Sequence, residues 1–409
     1  MDILMLAWKN LWRNRRRSLI TLAALSFSLM LMQGFHNLAI GTYARMIDSG
    51  VRAGSGHIAL YRENYSNSRD ETLTFNPAKF EHQLADMTEV MRILPRVYLP
   101  GLAQSSRESR GILLTGISPA EEYTVNPFLL KLPARSMPES LASRDALLGS
   151  KLLDELKLGV GNKLVITVQN RQGELVSELF RVRGEVHTGL RDVDGSLVMV
   201  GRERAATMGG FPGEIHELAL ILHHADDGAT VMPKLRQRLK ASPIRAVAWD
   251  QAMPNLANSI KLDYASQKFI FAIMIVIVSI GVINTMLMSV MERIREFGII
   301  LAVGATPGRL CRMILAEGLA LGVISVLAGS IFGSLLTWYL VVHGIDLRSL
   351  MPENMEFGGV IFDPIIRANW DISWMVKIAI YLMLIALAAS LYPAIKAARL
   401  APASAMRHI

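Results

Sequence analysis

Four apolar stretches, each long enough to cross a bilayer, constrain this chain more than any other feature. An α-helix rises about 1.5 Å per residue, so roughly 20 apolar residues cross a hydrocarbon core of about 30 Å. Ser18–Ile40 and Phe269–Met291 contain no Asp, Glu, Lys or Arg. Met313–Val342 holds one acid, Glu317, near its start, and Ile372–Ile395 is interrupted only by Lys377. Composition agrees: 51% of the chain is hydrophobic and 19% charged, where a soluble protein carries about 25%. The first stretch follows a basic segment, as a signal peptide does, but no small-x-small cleavage site follows before Gln33, His36 and Asn37. A retained anchor is the expectation.

The formal charge of +8 raises nucleic acid as a partner, and its location argues against that. Lys9, Arg13, Arg15, Arg16 and Arg17 precede the first apolar stretch with only Asp2 against them. Arg293, Arg295, Arg309 and Arg312 lie between the second and third stretches, and Lys396, Arg399 and Arg407 follow the fourth. Asp346, Glu353, Glu356, Asp363 and Asp371 crowd the third-to-fourth connection. Cytoplasmic flanks carry the Lys/Arg excess of membrane proteins, so both termini and the middle loop are expected in the cytoplasm. No nucleic acid partner is expected. A single cysteine excludes a disulfide within the chain and a multi-cysteine metal centre.

The expected fold class is an α-helical membrane protein with four transmembrane helices plus a large mixed α/β domain outside. In order, the chain reads as a basic amphipathic helix (1–17), span one (18–42), the outside domain (43–262), span two (263–291), a cytoplasmic coupling loop (292–312), span three (313–342), an outside loop (343–371), span four (372–395) and a cytoplasmic tail (396–409). Within the outside domain, strands are expected at His57–Tyr61, Gly111–Ile117, Lys163–Val168, Glu178–Val186 and Ser196–Val200. Helices are expected at Ala78–Met91, Ser150–Leu156, Thr230–Lys240 and Asp250–Ile260, with a tight turn at Asn170–Gly173. His223 and His224 are adjacent but no third ligand stands at metal-binding spacing. No phosphate loop or nucleophile elbow is present, and no metal or cofactor is expected in this chain.

Met291 to Arg309 is the most informative stretch. Glu292 and Glu296 share a side of a short helix, Phe297, Ile300 and Leu301 supply an apolar stripe, and Gly304 suits a C-terminal stop. Thr306–Pro307 suits the start of the third span. Glu317 lies one turn past Arg312 and is expected to pair with a basic residue of the N-terminal helix or the coupling loop. Trp8, Leu11 and Trp12 share a helix face, as in a helix lying on the inner leaflet.

This stretch resembles the FtsX/MacB/LolC-LolE family of ABC-transporter permeases, in which a Glu/Arg segment ending in Gly-Ala joins spans two and three. The tail Tyr392-Pro-Ala-Ile-Lys-Ala-Ala-Arg-Leu-Ala-Pro-Ala-Ser-Ala-Met-Arg407 is similar to the family's closing motif. Leu148–Leu164 resembles a block of the MacB-like periplasmic core domain, and Trp249–Asp263 is similar to the lipoprotein-releasing LolC/LolE branch. The resemblance implies an inner-membrane permease, itself no enzyme, that pairs with a second permease chain as homodimer or heterodimer. It implies that Glu292, Arg293, Arg295, Glu296, Phe297, Gly298, Gly304 and Ala305 couple it to a separate ABC ATPase holding ATP and Mg²⁺. By mechanotransmission the machine would extract lipoproteins, or another lipid-like substrate, and push them onward, with a periplasmic carrier as one recipient the resemblance leaves open; membrane lipids surround it. Met30, Phe35, Phe269 and Ile273 are the candidate substrate-facing residues. A MacB-like exporter of amphipathic substrates and an FtsX-like transmitter controlling cell-wall hydrolases are the alternatives. The carrier-recruiting permeases of the family have a long hook in the outside domain, and here Arg171–Glu174 leave no room for one.

Overall fold

A computed structural model describes residues 12–13, 15–188, 191–240, 242–347, 356–357, 360–361 and 365–399. The Trp8 and Leu11 face and the second half of the closing motif, 400–407, lie outside the described residues. The chain divides into two compact units: Met1–Tyr43, Leu262–Ser349 and Pro364–Ile409 in one, Ala44–Lys261 and Leu350–Asp363 in the other.

Five helices contribute to the first unit: α1 (Arg15–Ala53), α2 (Pro254–Glu292), α3 (Ile294–Ala302), α4 (Pro307–Val342) and α5 (Ile372–Ala398), with 44–53 of α1 and 254–261 of α2 belonging to the second. All but α3 are long and apolar enough to cross a membrane. At 39 residues each, α1 and α2 are about 58 Å long. Both continue past the outer ends of the expected spans, because no proline or adjacent glycines interrupt 43–53 and α2 opens on Pro254, a favourable first-turn residue.

Lipid tails are as apolar as leucine, so helices in a bilayer associate by close packing and by hydrogen bonds. Gly329 and Gly333 of α4 supply the first: a Cβ at Gly329 would lie 2.9 Å from Leu29 Cβ, and one at Gly333 2.1 Å from Gln33 Oε1. Nearer the start of α4, a Cβ at Gly318 would meet Ser390 Oγ of α5 at 2.1 Å. Side chains supply the second. Ser26 donates to the Ser325 carbonyl at 3.0 Å, Asn37 Nδ2 to Thr337 Oγ1 at 3.0 Å, and Thr21 and Thr285 share a bond of 2.9 Å. His36 stacks on Trp374, with ring centroids 3.8 Å apart, and meets Asp371 at 3.3 Å.

The second unit is a nine-stranded mixed sheet. Its strands are β1 (Ile58–Arg62), β2 (Val90–Gln104), β3 (Ser109–Ile117), β4 (Asp145–Gly149), β5 (Lys163–Gln169), β6 (Leu175–Val186), β7 (Leu197–Gly201), β8 (Glu217–Leu222) and β9 (Ile244–Ala248). Their order is β3-β7-β4-β6-β5-β2-β8-β1-β9, and β2 also pairs with β3. That last pairing closes six strands into a ring. The β3–β7 and β4–β6 pairs are parallel and the others antiparallel. Strand β2 serves both parts: Val90–Arg96 pairs with β8, and Val97–Gln104 with β3, joined by β5 from Gly101 onward. Leu99, Leu114, Leu148, Ile166, Val182 and Val200 fill the core with under 2% of their surface exposed.

Two expectations are corrected. The helix expected to run from Ala78 to Met91 ends at Ala85, and Val90 begins β2. Pro95 and Pro100 argue against a strand there, yet both lie within β2. The helix expected over Asp250–Ile260 is divided, Trp249–Ala252 and then α2 from Pro254. Strands β4 and β8 are wholly buried apolar runs without alternation, a pattern that a strand shares with a buried helix.

Candidate functional site

The Glu/Arg stretch forms a braced surface helix. Arg293 separates α2 from α3 with φ −111° and ψ 12°, and α3 ends in a Schellman turn. The Gly304 N–H donates to the Leu301 carbonyl at 3.1 Å, and the Ala305 N–H to the Ile300 carbonyl at 3.1 Å, with Gly304 at φ +100°. That conformation is open to glycine at little cost. Thr306 then caps α4 in extended conformation, with Pro307 at its first position.

Arg17, in the first turn of α1, and Arg13, just before it, grip the end of α2 and the start of α3. Arg17 forks onto both oxygens of Glu292, its Nη1 arm at 2.9 Å, and Arg13 forks likewise onto Glu296, its Nη1 arm at 3.1 Å. Such two-pronged bonds fix orientation as well as distance. Arg293 reaches inward: Nε donates to Glu296 at 3.1 Å, Nη1 to Glu317 at 3.4 Å, and the guanidinium lies 5.0 Å from the centre of the Phe297 ring. Glu317 is buried in α4 and thus meets a cation of the coupling loop. Hydrogen bonding from Arg13 holds the Glu296 carboxyl below the usual range, with Arg293 assisting. It is an anion at neutral pH, and the clamp is set.

The apolar stripe expected on α3 faces two ways. Phe297 and Gly298 are buried and Leu301 is half-buried. Ile300, expected with them, points outward, exposed together with Ile299 and Val303. With nine residues and apolar side chains on both sides, the helix buries the face that carries Phe297, the largest of them. Arg295, Arg309 and Arg312 are exposed, and none has an ion-pair partner among the described residues.

The substrate-facing candidates separate similarly. Phe35, Phe269 and Ile273 are exposed on the outer surfaces of α1 and α2, and Met30 is half-buried. Leu29 and Met32, in the same stretch as Met30 and Phe35, are fully buried.

In the second unit the hairpin between β5 and β6 is short. Asn170 Oδ1 accepts from the Gln172 and Glu174 N–H groups, and Gly173 takes φ +84°. His223 and His224 are exposed just past β8, and no group of three metal-binding side chains occurs among the described residues. Sequence reasoning did not foresee Ser150, His187 and Asp194 meeting, with Ser150 Oγ 3.0 Å from His187 Nδ1 and 3.3 Å from Asp194. It is not a hydrolytic triad: Nδ1 faces serine and aspartate alike, whereas the relay needs the two ring nitrogens to divide those roles. The glycines of α4, spaced as Gly318-x-x-x-Gly322 and Gly329-x-x-x-Gly333, were legible in the sequence as a helix-packing signature and went unread.

Against this geometry, residues 268–402 match the FtsX-like permease C-terminal family. The chain carries an FtsX-like permease domain. Over 327 residues it is 24% identical to the lipoprotein-releasing system transmembrane protein LolC of Neisseria meningitidis serogroup B, covering 78% of each chain. It is also 24% identical to the pyoverdine export ATP-binding/permease protein PvdT of Pseudomonas putida, over 80% of this chain and 51% of that one. The crystal structure of the periplasmic region of MacB from Actinobacillus actinomycetemcomitans aligns with 52% of this chain and 98% of its own, at 13% identity and a TM-score of 0.37. The domain match takes in three of the four helices that are long and apolar enough to cross a membrane.

Proposed function

We propose that the chain is the permease subunit of an inner-membrane transporter that uses ATP hydrolysis on a separate ATPase to extract lipoproteins from the outer leaflet. The carrying observation is α3, which exposes Ile299, Ile300 and Val303 beside Arg295 and Arg309, cations with no ion-pair partner among the described residues, while two bidentate arginine pairs hold its base. Isoleucine and valine so exposed at the end of a loop gain by docking on a protein groove. The LolC relatives, aligned along most of both chains, support lipoprotein as the cargo. Phe35, Phe269 and Ile273 offer apolar surface to its acyl chains. An acyl chain gains roughly 0.8 kcal/mol per methylene there but about as much in lipid, so hydrolysis must drive extraction.

The test pairs the chain with an ABC ATPase that co-purifies with it from its own cells. Val303→Glu and Ile300→Glu should release the ATPase from membranes, and photo-crosslinkers at Phe35 and Ile273 should capture lipoprotein that ATP discharges. Recruitment that survives both substitutions sinks the docking face. Labels that trap only another permease chain favour the second reading, an exporter of soluble or amphipathic substrates, which the PvdT relative supports.

A further inference from the structure

Between α1 and β1 run Gly54, Ser55 and Gly56, a sequence that ordinarily makes a flexible joint. In the second unit it is held from every side. Arg96, 2% exposed, donates through Nη1 to the Gly54 carbonyl and forks through Nε and Nη2 onto Glu122. Tyr61 donates at 2.5 Å to Glu217, which also accepts from Tyr98 at 3.0 Å and from Arg96 at 3.4 Å. The same Tyr61 hydroxyl lies 3.0 Å from Ser55 Oγ. Burial, then the charge of Glu217, pushes the Tyr61 hydroxyl far up, so it stays protonated and keeps donating. Gly56, at φ +76°, leaves no room for a side chain: a Cβ would lie 2.8 Å from the Leu220 backbone. The backbone is bonded too, Gly54 to Gly50, Gly56 to Val51 and His57 to Leu220.

A buried ion pair adds little net stability compared with apolar residues of the same volume, so its retention asks for another reason. Position supplies one. Val51 near the end of α1 packs against Leu94, Val125, Ala219 and Ile221, with Trp249 and Met253, which precede α2, against the same cluster. We infer that Arg96 is a positioning residue which locks the Gly54–Gly56 joint, so that residues 44–53 of α1 and the sheet move as one body and transmit the stroke of transport. The inference rests on the transporter reading above.

The variant R96M/E122L/E217Q removes the clamp without leaving a buried charge unpaired. In full-length chain in nanodiscs, with Cys311→Ser, spin labels at Ala44 and Glu121 should give one narrow distance distribution. The triple variant should at least double its width at unchanged Tm. In the complex, ATP hydrolysis should continue while cargo release falls about tenfold. An unchanged distribution in the folded variant, or a broadened one with full release, overturns the inference. The spin-label arm needs no cargo, so it fails separately from the lipoprotein reading. Should the variant not fold, hydrogen exchange of the unaltered chain decides: Gly54, Gly56 and His57 amides must be protected as strongly as β8, and loop-like exchange there overturns the lock.

Discussion

His57 and His216 are both buried in the second unit, and each accepts a backbone hydrogen bond through Nδ1, His57 from Leu222 at 3.1 Å and His216 from Tyr98 at 3.0 Å. His216 Nε2 donates to the Glu71 carbonyl at 2.9 Å. Only the neutral ring can accept at Nδ1. Burial accordingly lowers the proton affinity of both rings. The unfolded chain binds protons near pH 6.5 while the folded one does not, so stability rises with pH in that window and is lost below it. Unfolding of the full chain in detergent, followed from pH 7.5 to 5, should show Tm falling below about 6.5, by roughly 2–4 °C per kcal/mol lost. His216→Gln should lower Tm at pH 7.5 and flatten that slope, and an unaltered slope would refute the assignment. In the sequence these histidines could be weighed only as metal ligands, because nothing local to Ile215–Glu217 announces that Tyr98 and Glu71 will stand on either side.

A helix of nine residues cannot hold its own place, so α3 depends on its braces. Replacing Arg17 with Glu sets two anions together where a bidentate pair stood. Each pair is largely open to solvent and contributes little to stability, so the expected loss is in positioning. We expect Arg17→Glu to cut ATPase binding severalfold, and R17E/E292R to restore most of it, read as ATPase retained on washed membranes. A double variant no better than the single would show that the pair does not position α3. At this scale the punctuation was legible: Gly304 and Thr306–Pro307 are where the turn chemistry requires them. The outward face was not, since Ile299, Ile300 and Val303 and the inward Phe297 and Leu301 are equally apolar. What decides among them is the packing of α3 against its neighbours, which involves residues far away in sequence.

Four crossings bring Arg15 and Arg399 to one side, and we propose from the arginine-rich flanks that this side is cytoplasmic. With Cys311→Ser as background, a lone cysteine at Lys163 should react with an impermeant thiol reagent on intact spheroplasts, and one at Arg309 only after lysis. The reverse result would invert the whole arrangement. Length and apolarity made the crossings legible from the sequence. The ring of six strands was not, because β2 must be recognised as one strand through Pro95 and Pro100 before its pairing with β3 can close it. The uninterrupted helical course of α1 and α2 also restricts how such a chain can change over evolution. One residue inserted in an α-helix turns its two ends against each other by about 100° and separates them by 1.5 Å. A single insertion between Ser26 and Asn37 of α1 would turn one of them away from its partner on α4, whereas one near seven residues nearly restores the facing. Length variation among relatives should therefore collect in the strand connections, such as Asn170–Glu174, and be rare in that stretch of α1.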